Sequence, residues 1–68
     1  MKSYGIIKMK AQMFANERQE PVYIANSKRK NDYCIMFPED LSPDGEIIRG
    51  NYSNHEIIET VYPETATL

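Results

Sequence analysis

The sequence predicts a mainly β domain, a small antiparallel meander or partly open barrel of four to five short strands. Three observations predict it. Gly5, Ile7, Met9, Ala11 and Met13 alternate with Lys8, Lys10 and Gln12, the period-2 pattern of a half-buried strand. Two β-branched and aromatic runs, Pro21-Val22-Tyr23-Ile24-Ala25 and Tyr33-Cys34-Ile35-Met36-Phe37, flank a polar segment. Ser42-Pro43-Asp44-Gly45 joins a fixed φ to a residue tolerant of positive φ, strong turn chemistry between extended segments. The alternative is an α+β domain with a short helix at 6–19 or 54–62.

Taken in chain order, the first segment is the least decided. Lys, Met, Ala, Gln, Glu and Arg are good helix formers, and Ile6, Met9 and Met13 stand at i, i+3 and i+7, which supports the helical alternative. Gly5 disfavours a helix start and Pro21 restarts the chain as extended, so a strand is preferred. Pro21 then opens the second strand. Asn26-Ser27-Lys28-Arg29-Lys30-Asn31 reads as a turn, making a hairpin with a basic tip. Tyr33 to Phe37 carries apolar residues on both faces and is expected to be the central strand, with Ile35 among the most buried residues and intolerant of truncation to Ala.

Pro38 ends that strand, and Glu46-Ile47-Ile48-Arg49 forms a further short strand stopped at Gly50-Asn51. From Ser53 to Tyr62 the pattern is double. Ile57, Ile58, Val61 and Tyr62 share a helical face behind a Ser53/Glu56 capping box, yet Ile, Thr, Val and Tyr favour extension, so a strand ending at Pro63 is preferred. Residues 64–68 are expected to fray, and 1–68 forms one domain.

Charge is split along the chain. Residues 1–38 carry seven basic and three acidic residues, a balance of +4, whereas residues 39–68 carry seven acidic residues against Arg49, a balance of −6. Two halves of so short a chain must fold onto one another, which predicts a polarised surface. The net charge of −2 and pI near 5.2 lack the basic excess of a dedicated duplex binder. One cysteine excludes an internal disulfide and any multi-cysteine zinc site, which fits a reducing cytoplasm. No apolar run approaches the roughly 20 residues of a membrane span, so no membrane partner is expected.

Motifs for chemistry are weak. Cys34 and His55 are the sole thiol and imidazole, and Cys34 inside an apolar run is expected to be a small structural hydrophobe rather than a nucleophile. One His with scattered carboxylates has no metal-ligand spacing, and isolated glycines form no phosphate loop, so no catalytic residue, cofactor or metal is expected.

Two charged sets remain as candidate binding residues. Glu39, Asp40, Asp44, Glu46, Glu56 and Glu59 define an acidic face that can imitate a phosphate array and occupy a nucleic-acid groove on a larger protein. Lys28, Arg29 and Lys30 at the hairpin tip, extended by Lys8 and Lys10, define the alternative, a nucleic-acid-binding surface with Tyr23 and Tyr33 available for stacking. The chain resembles, in size and in lacking catalytic motifs alone, the broad type of cofactor-free single-domain protein that viruses and mobile elements encode to block a host factor. The expected function is therefore non-enzymatic: an inhibitor or regulator that binds a larger protein through the acidic face and a sheet edge, with homo-oligomer formation through strand edges also open.

Overall fold

The structure, a computed structural model, describes residues 4–27, 32–48, 50 and 54–64. Its element order is α1 (Tyr4–Arg18), β1 (Val22–Ser27), β2 (Tyr33–Met36), a 3₁₀ turn (Pro38–Asp40) and β3 (His55–Val61). The strands form one antiparallel sheet in the order β2-β1-β3. The fold is α+β, with one helix and three strands in place of the expected mainly β meander or barrel of four to five strands. Two expected strands are lost. Residues 5–13 belong to α1, and of the expected strand 46–49 the described residues 46–48 contribute an isolated bridge, Leu41 to Ile47, while Arg49 lies outside the described residues.

The helix forms because the residues that cover the sheet recur every four positions. Ile7, Ala11 and Ala15 are buried at i, i+4 and i+8 and pack on Val22, Ile24 and Val61. As a strand the same segment would bury Met9 and Met13, which in α1 are 59% and 64% exposed. The alternation from Gly5 to Met13 is thus incidental, and the stripe Ile6, Met9 and Met13 that argues for a helix lies on its outer surface. Gly5 falls in the first turn, where it interrupts least. The helix stops at Gln19, which adopts φ +55° while the Gln19 and Glu20 amides donate to the Ala15 carbonyl at 2.8 and 3.4 Å.

Both flanks of α1 are tied to the sheet. On the β3 side runs a polar stripe, again at i, i+4 and i+8: Lys8 pairs with Glu59 at 2.6 Å, Gln12 Nε2 donates to the Tyr62 carbonyl at 2.9 Å, and Asn16 Oδ1 accepts from the Glu64 amide at 2.8 Å. Glu64 is therefore anchored, while 65–68 lie outside the described residues. The β2 side is aromatic, with Tyr4 edge-on to Tyr33 at 5.2 Å and Phe14 edge-on to Phe37 at 5.4 Å.

The central strand is β1 rather than Tyr33–Phe37. Val22, Ile24 and Ala25 have no exposed surface, whereas β2 is an edge strand on which Ile35 is only half-buried. Apolar residues on both faces of Tyr33–Phe37 arise because each face has a cover even at the edge. α1 covers Tyr33, Ile35 and Phe37, and Met36 is fully buried on the opposite face opposite Tyr23.

β2 and β3 both run antiparallel to β1, so the connection between them must cross the sheet. α1 packs on one face; on the other Ala25 and Met36 have no exposed surface, and residues 45–47 of this connection face residues 55–57 of β3 across a groove. The tip of the connection is a tight hairpin in which the Gly45 amide donates to the Ser42 carbonyl at 2.8 Å and Gly45 adopts φ +87°, a three-residue loop that needs the glycine. A bulge in β3 completes the arrangement. Ile24 faces Glu59 and Ala25 faces Ile57, leaving Ile58 as the extra residue, so the phase of β3 inverts and Ile57 and His55 turn toward the connection instead of the helix.

The position of β1 predicts unequal costs. A domain of this size holds roughly 3–10 kcal/mol at 0.05–0.15 kcal/mol per residue. Truncating Ile24 to Ala costs about 2–5 kcal/mol and should leave much of the chain unfolded, whereas Ile35→Ala at the half-buried edge should cost about 1–2 kcal/mol. Urea titrations followed by circular dichroism check the order, and equal midpoints would contradict the central placement of β1.

Candidate functional site

The acidic residues Glu39, Asp40, Asp44, Glu46, Glu56 and Glu59 do not share one face. Glu59 lies beneath the helix flank, bound to Lys8. Asp40 caps the 3₁₀ turn, its Oδ2 accepting from the Phe37 amide at 3.0 Å. Glu39 belongs to a cluster built around Arg18, whose Nη2 donates to both Glu39 carboxylate oxygens at 3.0 and 2.9 Å. The same guanidinium reaches Glu20 through Nε at 2.8 Å and stacks over the Phe37 ring at 4.1 Å. These hydrogen bonds hold the Glu39 carboxyl below its ordinary range and raise the already high Arg18 value.

The remaining three acidic residues divide between the connecting hairpin and β3, where Glu56, alternating with His55 and Ile57, points to the face opposite theirs. Asp44 and Glu46 are exposed on the connecting hairpin, and Gly45, Glu46 and Ile47 face His55, Glu56 and Ile57 of β3 across an open groove of about 420 Å³. The bulge at Ile58 turns His55 and Ile57 into this groove. β3 pairs with β1 on one side, and no other described strand pairs its second side, so a row of backbone donors and acceptors borders the carboxylates.

The basic set is described only in part. Lys28, Arg29 and Lys30 lie outside the described residues; on either side of them the Ser27 amide donates to the Asp32 carbonyl at 3.0 Å. Lys8 and Lys10 would point together from a strand, but on a helix they lie about 200° apart. Lys8 is engaged by Glu59, and Lys10 stands on the far flank. Tyr33 packs on Tyr4 and Tyr23 is half-buried on the opposite face, so the two rings form no common stacking platform.

Cys34 and His55 cannot act as a dyad. Cys34 pairs with Ala25 on one side of β1 and His55 pairs with Ser27 on the other, which places them about 12 Å apart, two strand spacings across and two residues along. Among the described residues no three His, Cys, Asp or Glu side chains group to hold a metal ion, and no helix is long and apolar enough to cross a membrane.

A second surface escapes the charge pattern altogether. The outer side of α1 exposes Ile6, Met9, Met13 and Phe14, and Lys10, Met13, Phe14 and Glu17 line a mostly apolar groove of about 340 Å³. Its signal in the sequence is the i, i+3, i+7 stripe, which periodicity alone assigns to a core.

The Arg18 cluster predicts an acid-dependent contribution to stability. Because the folded-state pKa of Glu39 is depressed, its contribution is fully present above the ordinary value of about 4.5 and is lost as pH falls through the lower folded value. Glu39→Gln should therefore narrow the stability gap between pH 7 and pH 3, flattening the acid limb of the curve, with a small amplitude at so exposed a pair. Urea midpoints across that pH range check it. An unchanged acid limb in the variant would exclude the linkage.

No protein-family profile matches the chain, and neither curated proteins nor solved structures include one similar enough to count as a relative.

Proposed function

We propose that this chain is a non-enzymatic protein-binding module, an inhibitor or regulator that engages a larger protein through the acidic hairpin and the outer edge of β3. The observation that carries this reading is the juxtaposition of a strand edge that no described strand pairs with the exposed carboxylates of Asp44 and Glu46. A strand edge supplies main-chain hydrogen bonds to an added strand, and carboxylates beside it select a partner with a basic surface and speed its approach. The fitting partner class is a protein whose own ligand is a polyanion, such as one that handles nucleic acid. That role matches the compact blocking proteins of viruses and mobile elements. A reducing cytoplasm, in which Cys34 stays a thiol, is the compartment that suits it.

The experiment is a quantitative comparison of baits in lysate. The immobilised parent should retain a protein at near-stoichiometric level, with retention falling as salt rises. Asp44→Lys combined with Glu46→Lys, both at exposed hairpin positions, should reduce that retention about tenfold or more. Equal retention by parent and variant would overturn the acidic-edge reading. Retention of oligonucleotides by the parent at low salt would instead favour the basic surface.

A further inference from the structure

The outer stripe of α1 has an arrangement of charge that the acidic edge does not explain. Lys10, Met13, Phe14 and Glu17 stand at i, i+3, i+4 and i+7, a single face of the helix with a cation at one end, an anion at the other and two large apolar side chains between. Neither Lys10 nor Glu17 forms an ion pair with any described residue, although three pairs are made by their neighbours Lys8 and Arg18. Met9 and Ile6 continue the apolar surface toward the start of the helix. Outward-facing methionines are costly to leave in water, Phe14 keeps 38% of its surface exposed beside Phe37, and thioether side chains adapt readily to a facing surface.

This pattern is its own complement when reversed. In a two-fold interface residue i of one copy meets residue j of the other, and j meets i. If two α1 helices cross antiparallel with the axis between Met13 and Phe14, Lys10 faces Glu17 of the second copy, Glu17 faces its Lys10, and each Met13 packs on a Phe14. A parallel arrangement would set Lys10 near Lys10 and Glu17 near Glu17. We infer that the outer face of α1 is a self-association surface on which a second copy of this chain docks as an antiparallel, two-fold helix pair registered by Lys10 and Glu17. One helix face is smaller than the roughly 1,200–2,000 Å² that stable interfaces bury in total, so the dimer is weak and concentration-dependent. It lies on the side of the sheet away from the acidic hairpin and does not depend on that reading.

Sedimentation equilibrium on the full chain, from low micromolar to near-millimolar protein, tests it. The mean mass should rise from 7.9 kDa toward twice that value. Lys10→Glu alone and Glu17→Lys alone should each hold the chain at monomer mass, since each sets like charges opposite. The double variant Lys10→Glu/Glu17→Lys should dimerise like the parent, and an equimolar mixture of the two single variants should form a mixed dimer. Both substitutions are at exposed positions, and unchanged far-UV circular dichroism confirms that any loss is one of association. A parent that stays at 7.9 kDa throughout, or a Lys10→Glu variant that dimerises undiminished, overturns the inference. So does a monomeric parent that uses this face to capture a different protein.

Discussion

The fold depends on how closely α1 can approach the sheet. Ala11 and Ala15 stand where the helix meets β1 and have no exposed surface, and Ile7 fills the wider space at the near end. A methyl group at two successive turns lets the helix backbone settle onto Val22, Ile24 and Val61, and close packing is what makes so small an apolar set sufficient. Any longer side chain at either alanine would lift the helix and break both flanking contacts at once. The aromatic pairs on the β2 side and the polar ladder on the β3 side need the helix at one height.

That placement also decides what the split charge does. Folding brings the basic first half against the acidic second half, and two ion pairs, Lys8 with Glu59 and Arg18 with Glu39, span the divide. Exposed pairs of this kind add little stability, but they align elements distant in sequence. Arg18 is the clearest example, since its planar fork binds Glu39 while its face lies on Phe37, joining the end of α1 to the start of the connection across the sheet. Such pairing consumes part of the charge that would otherwise polarise the surface. Among the other acidic residues, Asp44 and Glu46 stand exposed on the hairpin and Glu56 on β3.

The two surfaces left over from this packing lie on opposite sides of the sheet. The helix covers one face and turns its Met-rich side to water; the connection carries the carboxylates to the edge of β3. Pairing through α1 would leave both acidic edges outward. A dimer of that form presents two copies of one binding surface, and bivalent engagement raises avidity with no new contact at either site.

Some of this was readable from residue order alone. The β-branched run at Val22–Ala25, the break at Pro21 and the hairpin turn at Ser42–Gly45 follow from backbone preferences that hold wherever the chain is placed. The extended nature of 55–61 follows from its Ile, Thr and Val content, against a competing helical pattern. The state of residues 4–18 was not readable, because Ile7, Met9, Ala11 and Met13 satisfy a period of two while Ile6, Met9 and Met13 satisfy a helical period. Alanines carry too weak an apolar signal to mark Ala11 and Ala15 as the buried stripe, so only the sheet, by needing a close neighbour, selects that face. The same holds for the charged sets. Lys8 and Lys10 separate because the segment coils, and the acidic residues divide because a one-residue bulge and a crossover send them to different faces. Sequence determines which residues carry charge and where the backbone can turn; tertiary contact decides which of them share a surface, because neighbours across a sheet or around a helix are fixed by packing rather than by order along the chain.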